Sequence, residues 1–177
     1  ISSVEDLLKG IKDLAPIYFV TGNHELTSLA ATQYQELLAL LQKYGVTDLD
    51  NDSVKLKKGG QSITLYGRQY FSQYLTDSLP IASDKDFDIL LYHGSDNFKE
   101  IAPYHYDLIL SGHAHGGIVR LPIWGGIFGN DGTFFPEYAG GEYTIGDATL
   151  ISSRGLGDAS IPRFNNPPEL VVIKLNP

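Results

Sequence analysis

Three short apolar, β-rich runs, Ile17-Tyr18-Phe19-Val20, Phe87 to Tyr92 and Tyr106 to Leu110, each lead into a histidine-bearing loop. The loops are Gly22-Asn23-His24-Glu25, His93-Gly94 and Gly112-His113-Ala114-His115-Gly116, and they hold four of the five histidines. Buried strands followed by polar loops are the pattern of an open α/β sheet, in which loops at the carboxyl ends of parallel strands converge on one crevice. The spacing therefore predicts one site assembled from sequence-distant pieces.

The remaining periodicities fill in the frame. Val4, Leu7, Leu8 and Ile11 mark a short amphipathic helix from Ser3 to Leu14, ended by Pro16. Between Ser28 and Tyr44 apolar residues recur at spacings of three and four, predicting a helix with Ser28 as N-cap and Gly45 at the C′ position. Val46–Leu49, Ser53–Leu56 and Ser62–Tyr66 are expected strands, the last two joined by Gly59-Gly60, with a polar connection from Gln69 to Lys85. A short helix from Asn97 to Ala102 is expected to stop at Pro103. After Gly116 the chain becomes rich in glycine, aromatic and β-branched residues, and Ile118–Leu121, Glu142–Ile145, Ala148–Ser152 and Leu170–Leu175 are expected antiparallel strands. The expected whole is α/β first and β-rich afterwards.

A chain of 177 residues fits one domain with its own core. The net charge of −8 argues against nucleic-acid binding, which needs clustered Lys and Arg. It leaves a phosphate substrate open, because bound divalent cations reverse the local field. With no cysteine there is no thiolate ligand or disulfide, and the compartment is not legible from redox chemistry. No run approaches the ~20 apolar residues of a membrane span, and no signal-peptide pattern is present. The chain opens Ile1-Ser2-Ser3 and contains no methionine, so a processed or truncated polypeptide is expected.

The loops carry metal-site chemistry. His113 and His115 are two apart, so in an extended segment both face one pocket, with Gly112, Gly116 and Gly117 bending the backbone around it. Imidazole suits Zn, Fe, Mn or Ni, and an asparagine carbonyl such as that of Asn23 can ligate a hard or borderline cation. His24 can donate a proton or hydrogen bond to substrate, with Glu25 fixing its tautomer and raising its pKa. Taken singly, each loop has a plainer reading: a surface turn, a helix cap, a structural histidine. Together they favour a site. His105 has no partner motif and is read as a surface or packing residue. Arg120, Arg154 and Arg163 are candidates for a phosphate, or ordinary surface charge. Trp124, Phe128, Phe134 and Phe135 make the segment 121–135 either an apolar lip for a lipid-like substrate or membrane surface, or core.

Gly-Asn-His-Glu, then a strand-end His, then Gly-His-Ala-His resembles the calcineurin-like metallophosphoesterases. The stretch Asp107 to Pro122, with Ser153-Arg-Gly-Leu-Gly157, Arg163-Phe164 and Pro167-Pro-Glu-Leu170, is similar to a bacterial phosphodiesterase branch often tethered to the cell envelope. The resemblance implies an α/β fold: a metallophosphoesterase-type mixed β-sheet sandwich flanked by helices, with 1–177 as the C-terminal portion of a single domain. It implies a phosphodiester hydrolase with two divalent cations (Mn, Zn or Fe) acting on a small-molecule or lipid phosphoester. Asn23, His93 and His113 match ligands of one metal, His115 matches a ligand of the other, and His24 matches the non-ligand catalytic histidine with Glu25 as its orienting partner.

The family's Asp-x-His and Gly-Asp-x-x-Asp motifs do not occur in this sequence. Two N-terminal βα units are therefore expected to be missing, leaving the 177-residue chain inactive or nearly so, with at most one weakly held metal. Unpaired strand edges are expected to favour oligomers. The competing function is a noncatalytic metal-binding or cell-envelope interaction module.

Overall fold

The structure, a computed structural model, describes residues 1–70, 75, 79–83, 86–129, 132–157 and 162–176. In chain order it comprises α1 (Ser2–Ile11), β1 (Tyr18–Phe19), α2 (Asn23–Thr27), α3 (Ala31–Lys43), β2 (Thr47–Asp48), β3 (Ser53–Lys58), β4 (Gln61–Arg68) and β5 (Phe87–Tyr92). There follow α4 (Phe98–Ile101), a 3-10 turn (Ala102–Tyr104), β6 (Leu108–Ser111), β7 (Val119–Leu121), β8 (Gly125–Phe128), β9 (Gly141–Ile145) and β10 (Ala148–Ser152). The principal sheet runs β3-β4-β5-β6-β10-β9, and β1-β2 and β7-β8 form separate pairs.

Alternation along the strands sorts side chains into layers. In β5, Leu90 and Tyr92 enter a core with Ile109, Leu150, Phe98 and Ile101. Ile89 and Leu91 enter the opposite core with Leu65, Leu108 and Leu110. Tyr18, Val20 and Leu49, from the β1-β2 pair, close that second core. Ile17, Phe19 and Val46 point the other way, against Leu8, Leu37, Leu40 and Leu41 of α1 and α3. The order is thus helices, a parallel β1-β2 pair, the principal sheet, then α4 with its loops. This is the sandwich expected of the sequence, mixed in strand direction and flanked by helices.

Several boundaries differ from expectation for identifiable reasons. The helix expected from Ser28 begins later: Ser28 is the C-cap of the preceding α2, and α3 begins after Ala30, whose N–H donates to Gln33 Oε1 at 3.1 Å. A polar side chain three residues downstream thus satisfies the first exposed amide of α3, and Ser28 does not act as its cap. Pro103 does not halt the chain's coiling but sits in the 3-10 turn, where its missing N–H is no loss. Most of the connection from Gln69 to Lys85 lies outside the described residues.

In the second half β10 is not purely antiparallel: it pairs with β9 antiparallel and with β6 parallel, rejoining the principal sheet. The hairpin partner of β7, β8, carries the glycines Gly125 and Gly126 and had no strand signature. Leu170–Leu175 forms no strand, because no neighbour among the described residues lies beside it to pair. Its Leu170 and Val172 are exposed.

Candidate metal centre

The first loop is rooted where β1 ends. Thr21 is fully buried, and its N–H and hydroxyl both donate to Asp50, at 2.8 and 2.6 Å, just beyond β2. Burial pushes the Asp50 carboxyl above its ordinary range, opposed by those two bonds. Gly22 N–H donates to Glu25 Oε2 at 2.8 Å, which closes the loop as α2 starts. A Cβ at Gly22 would stand 2.9 Å from the His93 ring, so only glycine permits this approach.

His93 continues the alternation of Ile89 and Leu91 and therefore faces the β1-β2 layer, where Asn23 waits. Its Nε2 lies 3.1 Å from Asn23 Oδ1. The His93 carbonyl accepts from Gly112 N–H at 3.1 Å, which registers the third loop beside the second.

That third loop is not extended, contrary to the expectation that alternation aims both histidines. His113 and His115 have φ of 64° and 50°, and Gly116 and Gly117 follow at 73° and 66°. The turn is tightened by Ala114 N–H donating to Gly112 O at 2.8 Å and Gly117 N–H to Ala114 O at 2.7 Å. The left-handed backbone costs a non-glycine residue about 1–2 kcal/mol, so something must hold it. Asn166, 3% exposed, does so: its Nδ2 donates to His115 O at 2.6 Å and to Ile118 O at 3.4 Å.

The His93 and His113 rings meet at 5.2 Å between centroids, crossed at 71°. Tyr70 packs on both, at 5.6 and 5.3 Å. Burial first, then repulsion by His113, His115 and His24, pushes His93 down to about 4. Burial likewise lowers His115, followed by Arg163, His113 and His24. His93 and His115 are thus neutral at pH 7 and offer nitrogen lone pairs. The structure therefore brings Asn23 against His93 and the His113 ring against that of His93, with His115 and the exposed His24 within electrostatic range of His93.

Glu25 is directed to the Gly22 amide, so its visible part is to fix the loop that carries Asn23 and His24. His105 is exposed, as expected. All three candidate arginines are engaged within the chain: Arg120 with Gly116 O, Arg154 with Glu169, and Arg163 with the carbonyls of Gly155 and Gly157.

The donor set suits a divalent cation on its own terms. An amide oxygen and a neutral imidazole nitrogen face one another at hydrogen-bond distance, and His115 Nδ1 is buried with no hydrogen-bond partner among the described residues. Asn23, His93, His113 and His115 are the residues that could hold such an ion. The set is not a complete cage: among the described residues no group of three or more His, Cys, Asp or Glu encloses a metal position. Tyr70 and Asn166 had no sequence signature. The first sits in an aperiodic polar stretch, and the second is one of a pair of asparagines with no motif role.

Residues 2–117 match the calcineurin-like phosphoesterase family. The chain belongs to that family. Its members are phosphoester hydrolases that generally use divalent metals. Among relatives, the Escherichia coli phosphodiesterase YaeI is 25% identical over 98% of this chain and 63% of its own length. The Bacillus subtilis uncharacterized metallophosphoesterase YkuE is 38% identical over 52% of this chain and 32% of its own. The Chlamydia trachomatis UDP-2,3-diacylglucosamine pyrophosphatase LpxG is 33% identical over 49% of this chain and 28% of its own. The chain thus spans less than two thirds of the length of each of these relatives.

Proposed function

We propose that the protein is a metal-dependent phosphodiesterase, with Asn23, His93 and His113 on one divalent cation, His115 on a second, and His24 acting on the leaving oxygen. The observation that carries this reading is the meeting of Asn23 Oδ1 and His93 Nε2 at 3.1 Å, with the His113 ring crossing His93 at 5.2 Å. Mn, Zn or Fe fits such donors.

When bound, the cations supply Lewis-acid neutralisation of phosphoryl charge. The chain's own residues do the rest. His93 and His115, kept neutral by burial, present donors at no protonation cost near pH 7. His24 stands exposed at the start of α2, where its ring can hydrogen-bond or protonate an oxygen as charge develops there. Gly22, clamped by Glu25, sets the separation between Asn23 and His93.

The 177 residues form the C-terminal portion of one domain in this reading, and the remaining ligands of the second cation lie outside them. Phosphodiesterase in the name of YaeI and pyrophosphatase in that of LpxG support phosphoester chemistry, and the diacyl substrate in the latter supports a lipid-like ester and an envelope setting. The segment 121–135 is the proposed contact with such a surface. No described helix is long and apolar enough to cross a membrane.

Elemental analysis, paired with hydrolysis of bis(p-nitrophenyl) phosphate in added Mn²⁺, tests the reading. A protein that includes the missing ligands should hold two ions and turn over, while the 177-residue chain holds at most one and does not. A metal-free, inactive longer protein would overturn it. The incomplete cage among the described residues favours a second reading, a noncatalytic metal-binding or envelope-interaction module. One ion per chain with no turnover in the longer protein would establish that instead.

A further inference from the structure

A cavity of ≈ 280 Å³ opens directly against His113. Ser95, Asp96 and Ala114 line it together with Phe134, Phe135, Pro136 and Tyr138. Phe134 and Phe135 are 72% and 56% exposed, so the fold gains little from burying them. Phe135 nonetheless holds φ at 53° and Ile123, at the neighbouring hairpin tip, holds 73°. Bulky residues in that region are strained, and the surrounding packing does not repay it. What the conformation does achieve is an aromatic wall: Phe134 rests on Phe128 at 5.4 Å and Phe135 on Trp124 at 6.4 Å.

We infer that this cavity is the ester-arm subsite of the phosphodiesterase proposed above, and that it takes an uncharged aryl or alkyl arm of the substrate. The inference rests on that reading, because it places the scissile phosphate at His113. Charge selects the occupant. Glu137 is neutralised by Lys99 at 2.8 Å, but the exposed Asp96 carboxylate has no cationic partner among the described residues and repels a second phosphate. Size agrees: just below the ~300–1,000 Å³ spanned by ligand pockets, the cavity holds one short arm and not a second nucleotide.

The chain's single tryptophan, Trp124, is a built-in reporter, since Phe135 both lines the cavity and rests on it. Titrating the 177-residue chain with hexyl methyl phosphate should shift its emission to the blue and saturate, at least tenfold tighter than dimethyl phosphate. Phe134→Ala should weaken the hexyl ester at least fivefold with the circular dichroism spectrum unchanged. Asp96→Asn should improve binding of an ester whose hexyl arm ends in a second phosphate. Equal response to hexyl and dimethyl esters, or a shift that follows protein concentration through self-association of the aromatic wall, would overturn the subsite.

Hydrolysis, measured separately on the longer protein, separates the two claims. Turnover with equal kcat/KM for hexyl and methyl esters rejects the subsite and leaves the phosphodiesterase. A hexyl-selective emission shift without turnover rejects the phosphodiesterase and leaves an apolar-arm binding site.

Discussion

Asn166 stands 51 residues from His115 and reaches it with one amide hydrogen bond of 2.6 Å. Its orientation is not free, because two backbone carbonyls accept from the same nitrogen. Removing that donor leaves a left-handed turn held only by its own tight hydrogen bonds. Asn166→Ala should therefore lower stability by about 1–3 kcal/mol, the penalty for orphaned buried acceptors, in urea unfolding. A change below the error of that measurement would show the turn to be self-supporting. His24 makes the opposite prediction, since it is exposed and no hydrogen bond of its side chain is seen among the described residues. His24→Ala should leave unfolding unchanged and reduce kcat of the active longer protein by about 10²–10⁴-fold, the usual contribution of a general acid.

Asp88 carries a third prediction at the far end of β5. It is fully buried, one oxygen accepts from Ser83 N–H at 2.7 Å, and Oδ1 has no partner among the described residues. Burial, then repulsion from Asp107 and Asp86, raises its pKa above the ordinary 3.8, against the Ser83 and Thr64 bonds. In the window between 3.8 and the raised value the folded state holds more protons than the unfolded. Stability from this group is thus greatest at low pH and falls as pH rises through the folded pKa. The wild-type minus Asp88→Asn difference in urea midpoint should decline from pH 4 to pH 7, and a flat difference would rule the account out.

Elements were legible where one period dominated and obscure where two features competed. The runs ending at Tyr92 and Leu110 were readable as adjacent buried strands because both faces of that part of the sheet are covered, by Phe98 and Ile101 on one side and Leu49 on the other. The divide between α2 and α3 was not, since Leu29 continues the apolar spacing of the helix that follows although it belongs to the link. The grouping of Asn23, His93, His113 and His115 in one region was readable from the motifs at three strand ends. Their mutual arrangement depends on left-handed backbone and a distant amide, which spacing does not encode.

The approach of β2 to β4 belongs to the same class. Gly67 lies under Leu49, and a methyl there would overlap the Leu49 carbonyl oxygen and Cβ. Gly67→Ala should cost about 1–3 kcal/mol, as overpacking does. Because β2 pairs only with β1 among the described residues, amide exchange at Leu49 and Thr47, both bonded to the β1 segment, should accelerate more than exchange in β5. Uniform acceleration across the sheet would mean that β2 is no separate layer.

The molecule as a whole guards some edges and leaves others open. At one end of the principal sheet β3 presents Lys55, Lys57 and Lys58, which discourage edge-to-edge pairing. At the other end β9 is five residues long and carries exposed Glu142. The segment after Glu169 carries one such charge, the exposed Lys174, among apolar and β-branched residues. Glu169 is anchored by Arg154 at 2.7 Å and by its N–H to Gly155 O, and beyond it Leu170 and Val172 stand 77% and 86% exposed in backbone unpaired among the described residues. β-branched residues whose amides have no partner among the described residues are a template for another strand, so this polypeptide should self-associate through that segment. Its net charge of −8 opposes association, and salt removes that opposition within a Debye length of ~8 Å at physiological ionic strength. Sedimentation velocity of the 177-residue chain should therefore show association that grows with both protein and salt concentration. Val172→Lys should return it to monomer while leaving β10 and the histidine loops intact. A wild-type chain that stays monomeric in high salt, or a Val172→Lys chain that associates as before, would move the contact to another surface, with the aromatic wall at Phe134 and Phe135 the next to examine.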